Sequence, residues 1–511
     1  MIKKNDILTG TVQSFGSDGE GVLRMEDYVF FVPYALPGEK ISFRVLKIQG
    51  KIGYGKVEEI FVSSPDRVSP VCPVFHTCGG CGLQHMSYAL QTKFKREKVK
   101  NALLKIGGAE AEVSPVVPCA SPYGYRNKLQ LPVGVDGNGN TVLGFYAERS
   151  HRIVPIDRCY IHPEWSAKLI AVFKEYLACS EAKGYDERAK KGLIRHLVAR
   201  EIDGKYLVTI VATEKNLPEK ELLIEKLQAA FPGCSAFVNV NKSDSNVIFG
   251  DRFYSLCGAE HIEGETDGIA YEAGAETFVQ VNPEIREKLY ERAMEACFAG
   301  GAEVVIDAYS GGGLMTAMAA RRAKRAYGIE LNAEASACAE SLKKKNNLAN
   351  MENVCGDAAA ELPRIMAEEN GEKTVLILDP PRAGVARSVL YAILKSKIER
   401  FVMISCDPAT LARDLGILTG TLVEKDGVLI KNTAGARDNR ENNYFRIESV
   451  EPFDMFPQTK HVETLVVLSH KKPDSHLEVK IDFDNTALDK TAIAERAETR
   501  KPQEKTTYKN M

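Results

Sequence analysis

From about residue 276 to 470 the chain repeats one pattern, a short apolar run that ends in an acidic residue and is followed by a stretch with helical spacing. "EVVIDAYSGGG" closes on Asp307, "AYGIEL" on Glu330, "NVCGDAAAEL" on Asp357 and "TVLILDPPRAG" on Asp379. Strand-like runs alternating with helices predict a parallel, doubly wound α/β sheet with helices on both faces. In such a sheet the carboxyl ends of the strands share one edge, where ligands bind, so these four carboxylates are expected along one crevice. Glycines after Asp307 let the backbone approach a ligand closely. Glu330, 19 residues beyond Gly311, stands at the offset of an acid that accepts hydrogen bonds from a ribose diol. This much suits a nicotinamide dinucleotide as well as S-adenosylmethionine. The Asp379-Pro380-Pro381 turn separates them, since a redox domain gives no reason for it, whereas in a methyltransferase that strand faces the acceptor base.

The next apolar run, "RFVMIS", delivers Cys406 to the same edge. Asp407 suits a helix N-cap and Pro408 the first helical position, so a helix is predicted to begin just past the thiol. A lone cysteine there is either a small hydrophobe or a thiolate favoured by the helix N-terminus, with a pKa below the value of about 8.5 for free cysteine. Its place on a ligand-binding edge makes the nucleophile the working expectation.

At 511 residues the chain is too long for one core, and three or four domains are expected. Residues 1–62 read as short strands broken by glycines, the pattern of a small antiparallel, OB-like barrel. Tyr28, Phe30, Phe31 and Tyr34 there are either a stacking face for bases or barrel core. Residues 63–275 form a mixed α+β region that opens on a cysteine-rich turn. Between Lys93 and Lys105 it carries six basic residues against one acidic, which is either a phosphate-contacting helix or a solvated face. The tail, 471–511, is polar and charged, with no role assigned.

A net charge of −2 excludes a global basic footprint, so nucleic acid would have to be held by local patches. The first residues lack the apolar core of a signal peptide and no run is long enough to span a membrane, so a cytoplasmic protein is expected, with nothing that demands more than a monomer. Twelve cysteines in that compartment are more readily ligands or nucleophiles than a disulfide framework. "CPVFHTCGGCGLQH" places Cys72, Cys78 and Cys81 in a Cx5CxxC spacing among glycines, suited to an iron–sulfur cluster or to zinc. A fourth ligand is needed, and from spacing His76, His85 and Cys119 are all open.

Taken together, "QVNPE" at 280–284, "DAYSGGG", "GIEL", "LDPPRAG", "SCDPATLARDL" and "HVETLVVL" resemble, in this order, the RNA uracil-5-methyltransferases. The front half resembles their branch with an N-terminal TRAM module and an iron–sulfur cluster, which acts on 23S rRNA. The resemblance covers about residues 1–470. It implies methylation of uracil C5 to 5-methyluridine, with Cys406 as the nucleophile that adds to C6 and Glu463 as the base that removes the C5 proton. It assigns S-adenosylmethionine to Gln280, Tyr309, Glu330 and Asp379, with Asp357 a weaker member, and adds Cys159 to Cys72, Cys78 and Cys81 as ligands of a [4Fe-4S] cluster.

Ser310, Leu314 and Ala383 depart from the residues common in that pattern, which leaves fine contacts open but not the reaction. Two alternatives stand beside this reading. One is the same chemistry on the tRNA T loop, against which the tRNA branch typically lacks both the TRAM module and the cysteines. The other is an RNA-binding or ribosome-assembly factor with an inactive methyltransferase domain.

Overall fold

The apolar runs of the second half are strands buried on both faces. In the computed structural model, which describes residues 2–369, 373–432 and 444–470, they build a seven-stranded sheet. Elements in chain order are β1 Ile7–Thr11, β2 Ser14–Phe15, β3 Gly21–Met25, β4 Tyr28–Val32, β5 Lys40–Gln49, β6 Ile52–Val62 and α1 Tyr88–Ala102. Then come β7 Lys128–Val135, β8 Thr141–Tyr146, β9 Ile153–Pro155, α2 Glu164–Cys179, β10 Ile194–Ile202, β11 Lys205–Ala212, α3 Lys220–Ala230, β12 Ser235–Val240 and β13 Arg252–Cys257. A hairpin, β14 Ile262–Thr266 with β15 Ile269–Ala273, leads to α4 Pro283–Phe298, β16 Val304–Asp307, α5 Leu314–Ala320, β17 Arg325–Glu330, α6 Ala333–Lys345, β18 Met351–Cys355 and α7 Ala358–Glu368. The last are β19 Thr374–Leu378, α8 Arg387–Lys395, β20 Arg400–Ser405, α9 Pro408–Thr419, the hairpin β21 Leu422–Lys425 and β22 Val428–Lys431, then β23 Phe445–Phe453 and β24 Glu463–His470.

The order of this sheet is β18-β17-β16-β19-β20-β24-β23, parallel throughout except that β24 runs antiparallel to both β20 and β23. Strand order reverses between β16 and β19, and the crevice at that point is where an α/β sheet takes its ligand. Val305, Ile377 and Val402 pack on one face of the sheet and Leu376, Leu378, Phe401 and Met403 on the other, as alternation along the strands requires. The doubly wound expectation holds, with one antiparallel strand that the apolar pattern did not reveal.

Residues 7–62 form a six-stranded sheet of order β1-β5-β6-β4-β3-β2 around Phe30, Val32, Ile41, Phe43 and Val45. It is not wholly antiparallel. The long β5–β6 hairpin carries three register shifts, and β6 comes to lie parallel to β4; bulges of this kind bend and twist a strand pair. Phe30 is core, whereas Phe31 stacks on the part-exposed Tyr54 with ring centroids 6.1 Å apart. The central region supplies a second seven-stranded sheet, β13-β12-β11-β10-β7-β8-β9, with α2 and α3 packed on one face. The polar tail lies outside the described residues. No described helix is long and apolar enough to cross a membrane.

The basic segment is helical, but it is not a free cationic face. Lys95 is fully buried and paired with Asp454, Lys98 donates to Lys460 O at 2.9 Å, and Arg96 donates to Val113 O at 2.7 Å. Three of its six charges are thus spent on internal contacts, because α1 packs between the front half and the methyltransferase sheet. Removing one partner of a buried ion pair leaves an uncompensated charge. Lys95→Met should cost about 3–5 kcal/mol, read as a lowered thermal midpoint, and most of the loss should return in the double variant Lys95→Met, Asp454→Leu.

Candidate active site

Cys406 follows β20 directly, and Asp407 behind it accepts from the amides of Ala409 and Thr410 at 2.8 and 3.0 Å, with Pro408 opening α9. The local geometry is the one the sequence predicts. The partner comes from the sheet: the β20–β24 ladder ends with Ser405 facing Thr464, Cys406 and Glu463 are the next residues beyond that pair, and Glu463 acts electrostatically on the thiol. Residues 57 positions apart in sequence are made neighbours by register alone. Asp379, just past β19, and Arg382 complete the group, and both act electrostatically on Cys406 and on Glu463.

Burial dominates the electrostatics here. The Glu463 carboxyl, 4% exposed, is pushed up to about 8 by burial and by Asp379, against the opposing pull of Arg382. Asp379 is raised to about 7 by burial and by Asp307, and Asp307 to about 7 by burial. The Cys406 thiol does not behave as its helix N-terminus predicts. Burial pushes it up to about 12, helped by Glu463, Asp379 and Asp407, with Arg382 the named influence in the other direction. A helix terminus contributes a partial charge, and here it is outweighed by desolvation and by three carboxylates.

The expected cofactor residues lie along the same edge. Glu330 accepts from Gly311 N at 2.9 Å and from Asn332 N at 2.7 Å, which ties the glycine turn to the end of β17. Gly311 and Gly313 take positive φ of 53° and 82°, which favour glycine, and at Gly313 a Cβ would also lie 2.7 Å from that of Ala339. Thr316 donates to Asp307 at 2.8 Å beneath the turn. Tyr309 is half-buried against the strand cluster, and Gln280 is buried beside the start of α4. Asp357 is the N-cap of α7 through Ala359 N at 2.9 Å, so capping alone explains its carboxylate.

Among the described residues no group of three or more His, Cys, Asp or Glu side chains is arranged to hold a metal ion. Cys72, Cys78, Cys81 and Cys159 nevertheless share one neighbourhood. The thiols of Cys81 and Cys159, each pushed up to about 12 by burial, are raised further by the other cysteines. Of the other candidate ligands, Cys119 Sγ donates to Glu284 at 3.2 Å, and His76 and His85 both pack edge-on against Tyr34, with His85 buried and held neutral.

Sequence reasoning missed a row of cations. Lys128 on β7 stands directly opposite Arg200 on β10, and Arg126 lies two residues earlier. Burial, Arg200 and Arg126 push Lys128 down to about 7, and the Arg200 Nη atoms are buried without a hydrogen-bond partner among the described residues. Arg126 acts on Cys81, on Cys159 and on Arg382, so it links the cysteine neighbourhood to the active centre. Alternating cations in "YRNKLQL", inside a strand pattern, were the available signal.

A family profile described as tRNA (Uracil-5-)-methyltransferase matches residues 257–429. An uncharacterized RNA methyltransferase of Halalkalibacterium halodurans is 39% identical over 474 residues, 92% of this chain and 98% of its own. The chain belongs to the RNA (uracil-5-)-methyltransferase family. An uncharacterized RNA methyltransferase of Clostridium tetani is 36% identical over 92% of this chain and 97% of its own length. Among solved structures, the Pyrococcus abyssi tRNA (uracil-54, C5)-methyltransferase in complex with S-adenosyl-L-homocysteine superposes with a TM-score of 0.68 at 28% identity, over 90% of this chain and 99% of that one. This RNA methyltransferase is therefore an S-adenosylmethionine-dependent enzyme. That match takes in the front half of the chain as well as the methyltransferase half.

The raised carboxyls imply a direction for stability. Asp307 and Asp379 titrate near 7 when folded and near 3.9 when unfolded, so the folded state holds more protons in between and stability is lost as pH rises through that window. The thermal midpoint of the ligand-free enzyme should fall between pH 5 and pH 8, and Asp307→Asn should flatten the slope; a midpoint that rises over this range would contradict the burial account.

Proposed function

We propose that the enzyme methylates uracil C5 in RNA to give 5-methyluridine, with Cys406 as nucleophile and Glu463 as base. The observation that carries this reading is the β20–β24 register, which sets a thiol and a carboxylate side by side at the carboxyl edge of the sheet. Uracil C5 is a poor nucleophile until a thiolate adds to C6 and leaves C5 as an enolate carbon. The cofactor supplies an electrophilic methyl group on a positively charged sulfur. Once C5 is methylated it still carries its proton, and Glu463 removes it so that the double bond re-forms and the Cys406–C6 bond breaks. Arg382 is the cation available to favour the thiolate. Glu330 takes the ribose, Gln280 and Tyr309 border the cofactor, and Asp379 sits nearest the reacting carbon.

For the front half we propose a TRAM-like role for the first sheet and a [4Fe-4S] cluster on Cys72, Cys78, Cys81 and Cys159. Four thiols in one neighbourhood, each free to bind a different iron, fit that group. Its role is to pin the cysteine loop. RNA contact then falls to the first sheet, with Phe31 and Tyr54, and to Arg126 and Lys128, rather than to the basic helix as a whole. By resemblance of the front half the substrate is 23S rRNA. The Pyrococcus neighbour favours a second reading, the same reaction on a tRNA loop. Either presents an irregular loop from which a base can be flipped.

Incubation with rRNA and tRNA transcripts and labelled cofactor should place the label on uracil C5, and the faster RNA identifies the substrate; label on an exocyclic amine or a ribose would sink the mechanism. Cys406→Ala should abolish methylation and the covalent trapping of 5-fluorouridine RNA, while RNA affinity changes little. Cys406 attacks as the thiolate and burial pushes its thiol up to about 12, so kcat/KM should climb from pH 6 to pH 9 without a plateau. A flat profile would mean that ionisation of Cys406 does not limit the rate.

A further inference from the structure

Glu463 begins β24, and its partner on β23 is Phe453, so residues 454–462 are the connection of this hairpin. At nine residues the connection is longer than the two to five of an ordinary hairpin, and its own turn chemistry does not set its path. The path is set from outside. Gln458 is 2% exposed and has a φ of 68°, a left-handed conformation that a non-glycine residue keeps only when its surroundings impose it. Its surroundings do so: Gln458 N donates to Gln91 Oε1 at 3.1 Å, Gln91 Nε2 donates to Gln458 Oε1 at 3.0 Å, and Gln458 O accepts from the amides of Gly82 and Leu83 at 3.1 and 3.0 Å. Tyr125 donates to Pro457 O at 3.0 Å, Lys95 to Phe456 O at 2.9 Å and Lys98 to Lys460 O at 2.9 Å. All of these anchors lie in the front half, on α1, beside Cys81 or two residues past Tyr123 in the "YRNK" segment.

We propose that Gln91 and Gln458 are positioning residues of the methyl-transfer reaction: their two-way amide pair, with the Gly82 and Leu83 amides, holds 454–462 so that Glu463 meets the C5 proton. This rests on Glu463 being the base. Cys406 stands at the β20–α9 junction and is not itself part of the connection, so loosening the pair bears first on Glu463 and slows chiefly the last step. In that step Glu463 takes the proton from C5, the C–H electron pair re-forms the C5–C6 double bond, and the C6–S bond breaks to return the Cys406 thiolate. A slowed last step strands a methylated enzyme–RNA adduct.

The test is single-turnover reaction on ordinary uridine RNA, following methyl transfer and denaturant-resistant adduct separately, with S-adenosylhomocysteine affinity as the check on folding. Glu463→Gln is the reference and should accumulate adduct; without adduct there, the base assignment itself fails. With the reference holding, Gln91→Ala should keep methyl transfer within about threefold and slow elimination on the order of 10- to 100-fold, the scale of a small misplacement of a reacting group. Loss of both steps together without adduct, in a protein that still binds S-adenosylhomocysteine, would overturn the proposal. If Gln91→Ala loses that binding, Lys98→Met, which removes one anchor from Lys460 O, carries the test. Adduct in that variant supports the proposal and unchanged elimination overturns it.

Discussion

The antiparallel pairing of β24 with β20 is the constraint on which the site depends. A parallel sheet alone would bring Asp307, Glu330, Asp379 and Cys406 to one edge, but it would not bring Glu463 to the thiol. An antiparallel strand entering between β20 and β23 starts where β20 ends, and its first residue is Glu463. Register in a ladder with both faces buried cannot slip by one residue without turning Val466 and Leu468 away from their core. The apolar core of the sheet therefore sets where Cys406 and Glu463 stand relative to each other.

The same burial that fixes the pair makes it electrostatically tense. Glu463, Asp379 and Asp307 crowd a region with little water, and in the ligand-free protein all three are raised toward neutrality while Cys406 is raised well above it. Arg382 is the cation that opposes this for both Cys406 and Glu463. A cofactor with a positively charged sulfur is the complement such a site needs, because an opposite charge favours the ionised form of each acid.

The front half is tied to the chemistry by side chains that a reading of charge would have sent to solvent. Lys95 and Lys98 count as a basic patch by composition, yet one is fully buried and both end on the connection before Glu463. Gln91 and the amides beside Cys81 end there too. The helix and the cysteine loop thus bear on the active centre through one short segment, whatever part they take in holding RNA.

Much of the catalytic half was legible in the sequence. Apolar runs ending in acids specify parallel strands and a ligand edge because burial on both faces demands continuous hydrophobicity, and Asp407-Pro408 after Cys406 specifies a helix start through local capping chemistry alone. The glycine turn and Glu330 were readable for the same reason, since the constraints lie within about twenty residues. What local pattern could not carry were the non-local facts. The direction of β24, the parallel β4–β6 pair, the burial of Lys95 and the raised Cys406 thiol all depend on which segments meet across hundreds of residues. The sequence by itself determined the sheet, the edge and the candidate groups on it; only the tertiary structure decided which groups face each other and how little water they share, because pairing and desolvation are properties of the packed chain.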